Sequence, residues 1–271
     1  MPSHRFSPAT RCPVDDMIAS ADSTRGPNDS NAVEEHFNQA AEQFGKNYHS
    51  KADFLERQDI WQRSIAESLG RLTDGGICLD LGCGDGTLSR SVAAKGIQTV
   101  GIDQSDKMLS LARHKAGEAG VGQWGTYLHA SLPLPVELET CYTGKAGLIL
   151  CSSVLEYVTD YEKVLAQFFR LLQPGGRLIL SVPNRSSVYR VMQRICRFLF
   201  PLRSSYLRHQ RHQFNASDLE VLLEQLGYRI SKRTFFALPL QRVSEKAFGR
   251  YRGQLLATMV LVVADKPASP R

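Results

Sequence analysis

The stretch Asp80-Leu81-Gly82-Cys83-Gly84-Asp85-Gly86 sets three glycines two residues apart, with a carboxylate two residues ahead of the first. A loop without side chains lets a ligand approach the main chain closely. Dinucleotide sites use a related glycine pattern to hold a pyrophosphate at a helix N-terminus, so the neighbours must discriminate. A carboxylate at Asp80 would repel a pyrophosphate but attract the ammonium of an amino acid. Asp103, about 20 residues past the glycines, can accept hydrogen bonds from both hydroxyls of a ribose. A nucleoside that carries an amino acid satisfies both residues, which favours S-adenosylmethionine over NAD.

These residues need strand ends to carry them. After the break at Gly75-Gly76, the run Ile77 to Leu81 predicts a strand, and Thr87 to Lys95 a helix. Thr99 to Ile102, Trp124 to Leu128, Gly147 to Ser152 and Arg177 to Val182 predict four more strands, the last introduced by Pro174-Gly175-Gly176. Helices are expected from Ser105 to about Ala119, from Tyr161 to Leu172 and from Ala216 to Leu226, where Gly227 stops the last. The late runs Tyr228 to Phe236 and Leu255 to Ala264 predict a closing pair of strands. The alternation implies an α/β, doubly wound, mostly parallel seven-stranded sheet.

Residues 1–31, rich in Ser, Pro, Asp and Asn, read as a mobile tail, and 32–267 as one domain. Within it, helical spacing of Phe37, Ala40, Ala41, Phe44 and Tyr48, then of Phe54, Leu55, Ile60, Trp61, Ile65 and Leu69, predicts N-terminal helices over 32–72. Residues 185–215 form a predicted helical cap insertion. Seven arginines and no acidic residue fall between 185 and 213. On a helix, Val188, Val191, Met192, Ile195, Phe198 and Leu199 would share an apolar face, with Arg190, Arg194 and Arg197 on another. A solvated cap satisfies that pattern, and so does contact with an anionic membrane surface or an acidic acceptor.

The sequences LDLGCGDG at 79–86 and GIDQSDKMLSLAR at 101–113 resemble the class I S-adenosylmethionine-dependent methyltransferases. The resemblance continues through Cys151 to Val158, Leu172 to Gly176 and Phe214 to Gly227, covering roughly 35–265. Within the class it resembles the small-molecule branch that includes the ubiquinone and menaquinone biosynthetic methyltransferases. The resemblance implies the Rossmann-like methyltransferase fold and S-adenosyl-L-methionine as cofactor. Gly82, Gly84 and Gly86 would line the methionine moiety, Asp103 would bind the ribose, and Gln104 and Met108 would lie beside the adenine. Tyr48, Asp80, Cys83, Leu132 and Cys151 complete the expected cofactor-binding set. Ser131 stands where relatives often carry an acidic residue that contacts the adenine amino group, so Ser131 or a backbone group would have to serve.

A sulfonium already makes its methyl group electrophilic, so the protein need only align a nucleophile in line with it. An acceptor hydroxyl would benefit from a general base. His209 and His212, just before the helix at Ala216, are candidates, although the pair could equally tie the loop to the sheet or face solvent. Tyr157 is a third candidate and is as consistent with pocket lining. We therefore expect methyl transfer to a small molecule, O-methylation favoured over N- or C-methylation, with no metal. Acting on nucleic acid, protein or a carrier-bound acyl group is the alternative. Exocyclic-amine methyltransferases often place an Asn or Asp, Pro, Pro, aromatic motif after the fourth strand, and Cys151-Ser152-Ser153-Val154 there argues against nucleic acid.

The formal charge of +6 permits an anionic partner without choosing one. The six cysteines form no CxxC pair and indicate neither a zinc site nor a disulfide framework, which suits the cytoplasm. Apolar runs such as Met259 to Ala264 fall far short of the roughly 18 residues a bilayer span needs. Peripheral membrane contact through 185–213 remains compatible with a cytoplasmic location.

Overall fold

Ile77-Cys78-Leu79-Asp80-Leu81 forms β1 (Ile77–Leu81) and is buried at every position, as expected of a central strand covered on both faces. The computed structural model describes residues 35, 52–72, 76–192, 210–237 and 253–268. The tail at 1–31, the first N-terminal helix and most of the cap therefore lie outside the described residues. Helix α1 (Ala52–Ala66) precedes the sheet. The units that follow are α2 (Thr87–Ala93), β2 (Thr99–Asp103), α3 (Asp106–Glu118), β3 (Gly125–His129), α4 (Val136–Tyr142), β4 (Ala146–Ser152), α5 (Tyr161–Leu171) and β5 (Leu172–Pro183). The chain closes with α6 (Ala216–Gln225), β6 (Arg229–Phe236), the single turn α7 (Gly253–Leu256) and β7 (Met259–Asp265).

The seven strands form one sheet in the order β3-β2-β1-β4-β5-β7-β6. The first five run parallel, and β7 lies antiparallel between β5 and β6. Strand order reverses at β1 and β4, and a ligand crevice is expected outside the carboxyl ends of strands at such a reversal. The period of two sorts the core onto two faces. Leu79, Leu81, Ile149, Cys151, Leu178 and Leu180 pack on one, while Cys78, Leu148, Leu150 and Ile179 join Trp61 of α1 on the other.

Local signals account for most boundaries. Ser105 caps α3 by accepting from the Met108 amide, Asp160 caps α5 through Lys163, and Asn215 caps α6 through Ser217. Gly227, with φ of 98°, ends the α6 turn as expected.

Three departures have physical causes. Strand β5 starts at Leu172 rather than Arg177, because Leu172 already pairs with Ala146 and the Pro174-Gly175-Gly176 turn is absorbed as an irregularity between Ala146 and Leu148. Helix α4 was not expected; its apolar spacing is blurred by Val136, which is 73% exposed, while only Leu138 and Tyr142 are buried. The late run from Leu255 divides into α7 and β7.

The cap is described only at its start, where 188–192 is helical. Val188, Val191 and Met192 are exposed there, by 54%, 39% and 53%. Arg190, which the spacing set on a cationic outer face, reaches the Thr258 carbonyl at 3.2 Å and the Met259 sulfur at 3.6 Å. At this turn the arginine anchors and the apolar residues face out. Cys78, Cys83 and Cys151 are free thiols as expected, whereas Cys141 is disulfide-bonded. Among the described residues, no helix is long and apolar enough to cross a membrane, and no cluster of three acidic, His or Cys residues could hold a metal.

Candidate active site

The glycine loop leaves the carboxyl end of β1 and is tied to the end of β2. The Gly82 and Cys83 amides both donate to the Ile102 carbonyl, at 2.7 and 3.1 Å. Gly82, Gly84 and Gly86 have φ of 76°, 53° and 71°, in the left-handed region that favours glycine. Their surroundings differ. A Cβ on Gly82 would lie 2.2 Å from a Val154 methyl, whereas one on Gly84 would meet nothing within 4 Å. The loop thus packs on one side and opens on the other at Gly84.

Two carboxylates lie at the ends of β1 and β2, and one of them bonds the Gly84 amide. Asp103 accepts from the Gly84 amide at 2.8 Å through Oδ2 and from the Ser105 amide at 2.9 Å through Oδ1, so it braces the glycine loop against the start of α3. Burial raises its carboxyl above the ordinary range, and the Ser105 and Gly84 amides offset part of that. Asp80, only 1% exposed, accepts from the Ser89 amide at 3.0 Å and hydroxyl at 2.5 Å, both through Oδ2. Burial pushes it up to about 7, opposed by Ser89 and assisted by the negative charge of Asp103 and Asp85. A cation beside Asp80 would relieve that cost.

Asp85 was missed by sequence reasoning and holds the loop from below. Its Oδ1 accepts from the Thr87 hydroxyl and amide, at 2.7 and 3.2 Å, while Lys115 of α3 contacts Oδ2 at 2.6 Å. Burial alone would raise its carboxyl; the Lys115 and Thr87 bonds outweigh that and hold it below the ordinary range. Only the fold brings Lys115 to a residue 30 positions earlier.

The other expected cofactor residues separate by environment. The Gln104 carbonyl accepts from His129 Nε2 at 2.8 Å, Met108 is buried, and Ser131 is exposed beside Leu132, which precedes the cis-proline Pro133. Cys83 is nearly buried under the loop, and Cys151 is fully buried within the core on β4. Burial raises both thiols well above their ordinary value, which suits packing rather than nucleophilic chemistry. Tyr48 lies outside the described residues.

At the carboxyl end of β4, Ser153 takes φ of 59°, and Arg57 of α1 donates to the Ser152 hydroxyl at 2.5 Å and the Ser153 hydroxyl at 3.0 Å. Tyr157 is half-buried on this turn. His212 is also half-buried; its Nε2 lies 3.3 Å from the Thr159 carbonyl, and its ring sits edge-on to Tyr161 at 4.9 Å. A carbonyl can only accept, so Nε2 carries the proton in that contact. His209 lies outside the described residues. Sequence reasoning also passed over Arg57 and Glu156. The signal for Glu156 was a carboxylate in the otherwise apolar Val154 to Val158 turn.

A glycine loop at the reversal point of a sheet in this strand order, closed by an antiparallel β7, defines the Rossmann-like methyltransferase fold. The chain belongs to the methyltransferase-domain family, whose profile matches residues 54–232. It is 39% identical over 108 residues to the ubiquinone biosynthesis O-methyltransferase of Aromatoleum aromaticum, a match covering 40% of this chain and 44% of that protein. The chain thus matches less than half the length of that curated relative. Its fold matches the magnesium protoporphyrin IX methyltransferase of Synechocystis PCC 6803 with bound SAH at a TM-score of 0.66, with 20% identity over 88% of this chain and 100% of the other. The [4+2]-cyclase SpnF matches at 0.61, with 18% identity over 91% and 100%. One fold therefore carries more than one reaction, and function must be argued from the site.

Proposed function

We propose that the protein transfers the methyl group of S-adenosylmethionine to a hydroxyl of a small-molecule acceptor. The observation that carries the reading is the opening at Gly84, where Asp103 accepts from the loop amide at the strand-order reversal, with the buried Asp80 at the end of β1. The residues fit the cofactor: Asp80 is a buried carboxylate that a cation would stabilise, and Asp103 presents a carboxylate beside the open loop. Gly82, Gly84 and Gly86 would line the amino-acid part, Asp103 the ribose, and Gln104, Met108, Leu132 and Ser131 the adenine, with the Cys83 and Cys151 backbones behind. When bound, the cofactor supplies an activated methyl group; the protein excludes water and holds the acceptor in line with it. The O-methyltransferase name of the curated relative supports oxygen as the methylated atom, and Tyr157 and His212 border the same end of the sheet.

Calorimetry tests the cofactor reading. S-adenosylhomocysteine should bind and NAD should not, and Asp103→Ala should weaken the former by about 1–3 kcal/mol through lost hydrogen bonds. Tight NAD binding without S-adenosylhomocysteine binding overturns it. The exposed Val188, Val191 and Met192 within the arginine-rich 185–213 run support a further contact with an anionic surface or an acidic acceptor. Replacing Arg194 and Arg197, while sparing Arg190 for its bonds to β7 and the residue before it, should abolish sedimentation with anionic liposomes. Unchanged sedimentation, or none in the parent, removes that contact.

A further inference from the structure

Three buried oxygens near the carboxyl end of β4 have no hydrogen-bond partner: Glu156 Oε2, Gln210 Oε1 and Gln213 Oε1. Two of the residues lie on the segment that packs on the third, because the Arg211 and His212 amides donate to the Glu156 carbonyl at 2.7 and 3.2 Å. An unpartnered buried oxygen costs about 1–3 kcal/mol, and Gln210 and Gln213 flank the two residues whose amides bond the Glu156 carbonyl. All three atoms accept, and what they lack is a donor. A ligand that brings O–H groups supplies it.

We infer that Glu156, with Gln210 and Gln213, forms the acceptor side of the active site, and that Glu156 Oε2 takes the proton of the hydroxyl that is methylated. The inference rests on the methyl-transfer reading above. The acceptor O–H bond breaks toward Glu156, the new O–CH3 bond forms as the S–CH3 bond breaks, and the sulfur leaves as a neutral thioether. Charge balances: the positive charge of the sulfonium is matched by neutralisation of the carboxylate.

The surroundings suit that role. Burial raises the Glu156 carboxyl to about 7, while its own amide and the charges of Arg57 on α1 and Arg190 on the 188–192 turn draw it down. Burial, and then the negative charge of Glu156, hold the Cys151 thiol on β4 well above its ordinary value. A base poised near neutrality is effective at physiological pH. His212 is less suited, with Nε2 engaged at Thr159 and its ring packed on Tyr161. Glu156 is 2% exposed in this conformation, so an acceptor reaches Oε2 as segment 210–213 shifts.

The test uses the full chain with S-adenosylhomocysteine bound and three ring-matched probes: catechol, phenol and 1,2-dimethoxybenzene. Catechol and phenol should bind at least tenfold more tightly than dimethoxybenzene, which brings no donor. Glu156→Leu, which removes the acceptor, should reduce that preference while S-adenosylhomocysteine affinity stays within twofold. With methyl-labelled S-adenosylmethionine, methyl transfer to catechol should fall by about 10²- to 10⁴-fold in Glu156→Gln. The parent rate should climb through about pH 7, and the Glu156→Gln profile should be flat there. Gln213→Leu, which keeps the carboxylate, should lower probe affinity without flattening the profile. Equal binding of all three probes, no transfer to catechol, or an unchanged Glu156→Gln rate overturns the inference while S-adenosylhomocysteine still binds. Loss of that binding in the parent overturns the methyltransferase reading instead.

Discussion

Asp80 shows how one residue links ligand charge to pH. Its folded carboxyl, at about 7, lies above its ordinary value of 3.8, so the neutral form is favoured by folding. That contribution is fully present below pH 3.8 and is lost as pH rises through about 7, which costs the unliganded protein about 1 kcal/mol between pH 6.5 and 8. An ammonium beside Asp80 reverses the preference. S-adenosylhomocysteine affinity should therefore increase about tenfold from pH 6 to 8, as the ionised fraction rises. Thermal shift across that range, with and without the ligand, checks the linkage. In Asp80→Asn the affinity should be lower and flat with pH; a parent affinity that is also flat would refute the pairing.

Among elements, the loop between β1 and α2 separates stability from binding. Gly82→Ala would place a Cβ 2.2 Å from Val154 at a φ of 76°, so it should destabilise the fold by about 2–4 kcal/mol through overpacking and strain. Gly84→Ala meets nothing within 4 Å, so only the left-handed strain of about 1–2 kcal/mol remains. It should nevertheless weaken S-adenosylhomocysteine by tenfold or more, because its methyl group enters the opening. Urea unfolding and calorimetry on both variants separate the effects; a Gly84→Ala protein that binds normally would place the ligand elsewhere. The Lys115 contact with Asp85 belongs to this scale too, since α3 braces the loop from 30 residues away.

Across the whole molecule, the last strand locks the sheet behind the site. Arg177 of β5 makes a two-pronged contact with Asp265 of β7, at 2.6 and 3.0 Å, and also reaches the Ser68 hydroxyl at 3.3 Å. Both side chains are about nine-tenths buried. Asp265→Ala should cost about 3–5 kcal/mol, because it leaves a buried guanidinium without its counter-charge. Replacing the pair by Met and Leu should restore much of that loss. Denaturant midpoints decide the matter, and a single-mutant loss below 1 kcal/mol would mean that water reaches Arg177.

The sequence by itself determined the strand-helix alternation, the glycine loop and the Asp80 and Asp103 positions, because these depend on residue periodicity and on turns only glycine favours. Gly227 and the caps at Ser105 and Asn215 belong there, each acting within a few residues of itself. The sequence could not place α4, where only Leu138 and Tyr142 turn inward and Val136 faces out, or the outward apolar face of the 188–192 turn. Only the tertiary structure brought Lys115 to Asp85, Arg57 to Ser152 and Ser153, and segment 210–213 to Glu156. Those contacts join residues 30 to 96 positions apart, and no local pattern encodes which distant side chain a buried charge will meet. The expected site residues marked a loop whose middle glycine faces open space, and folding decided which buried carboxylates hold it.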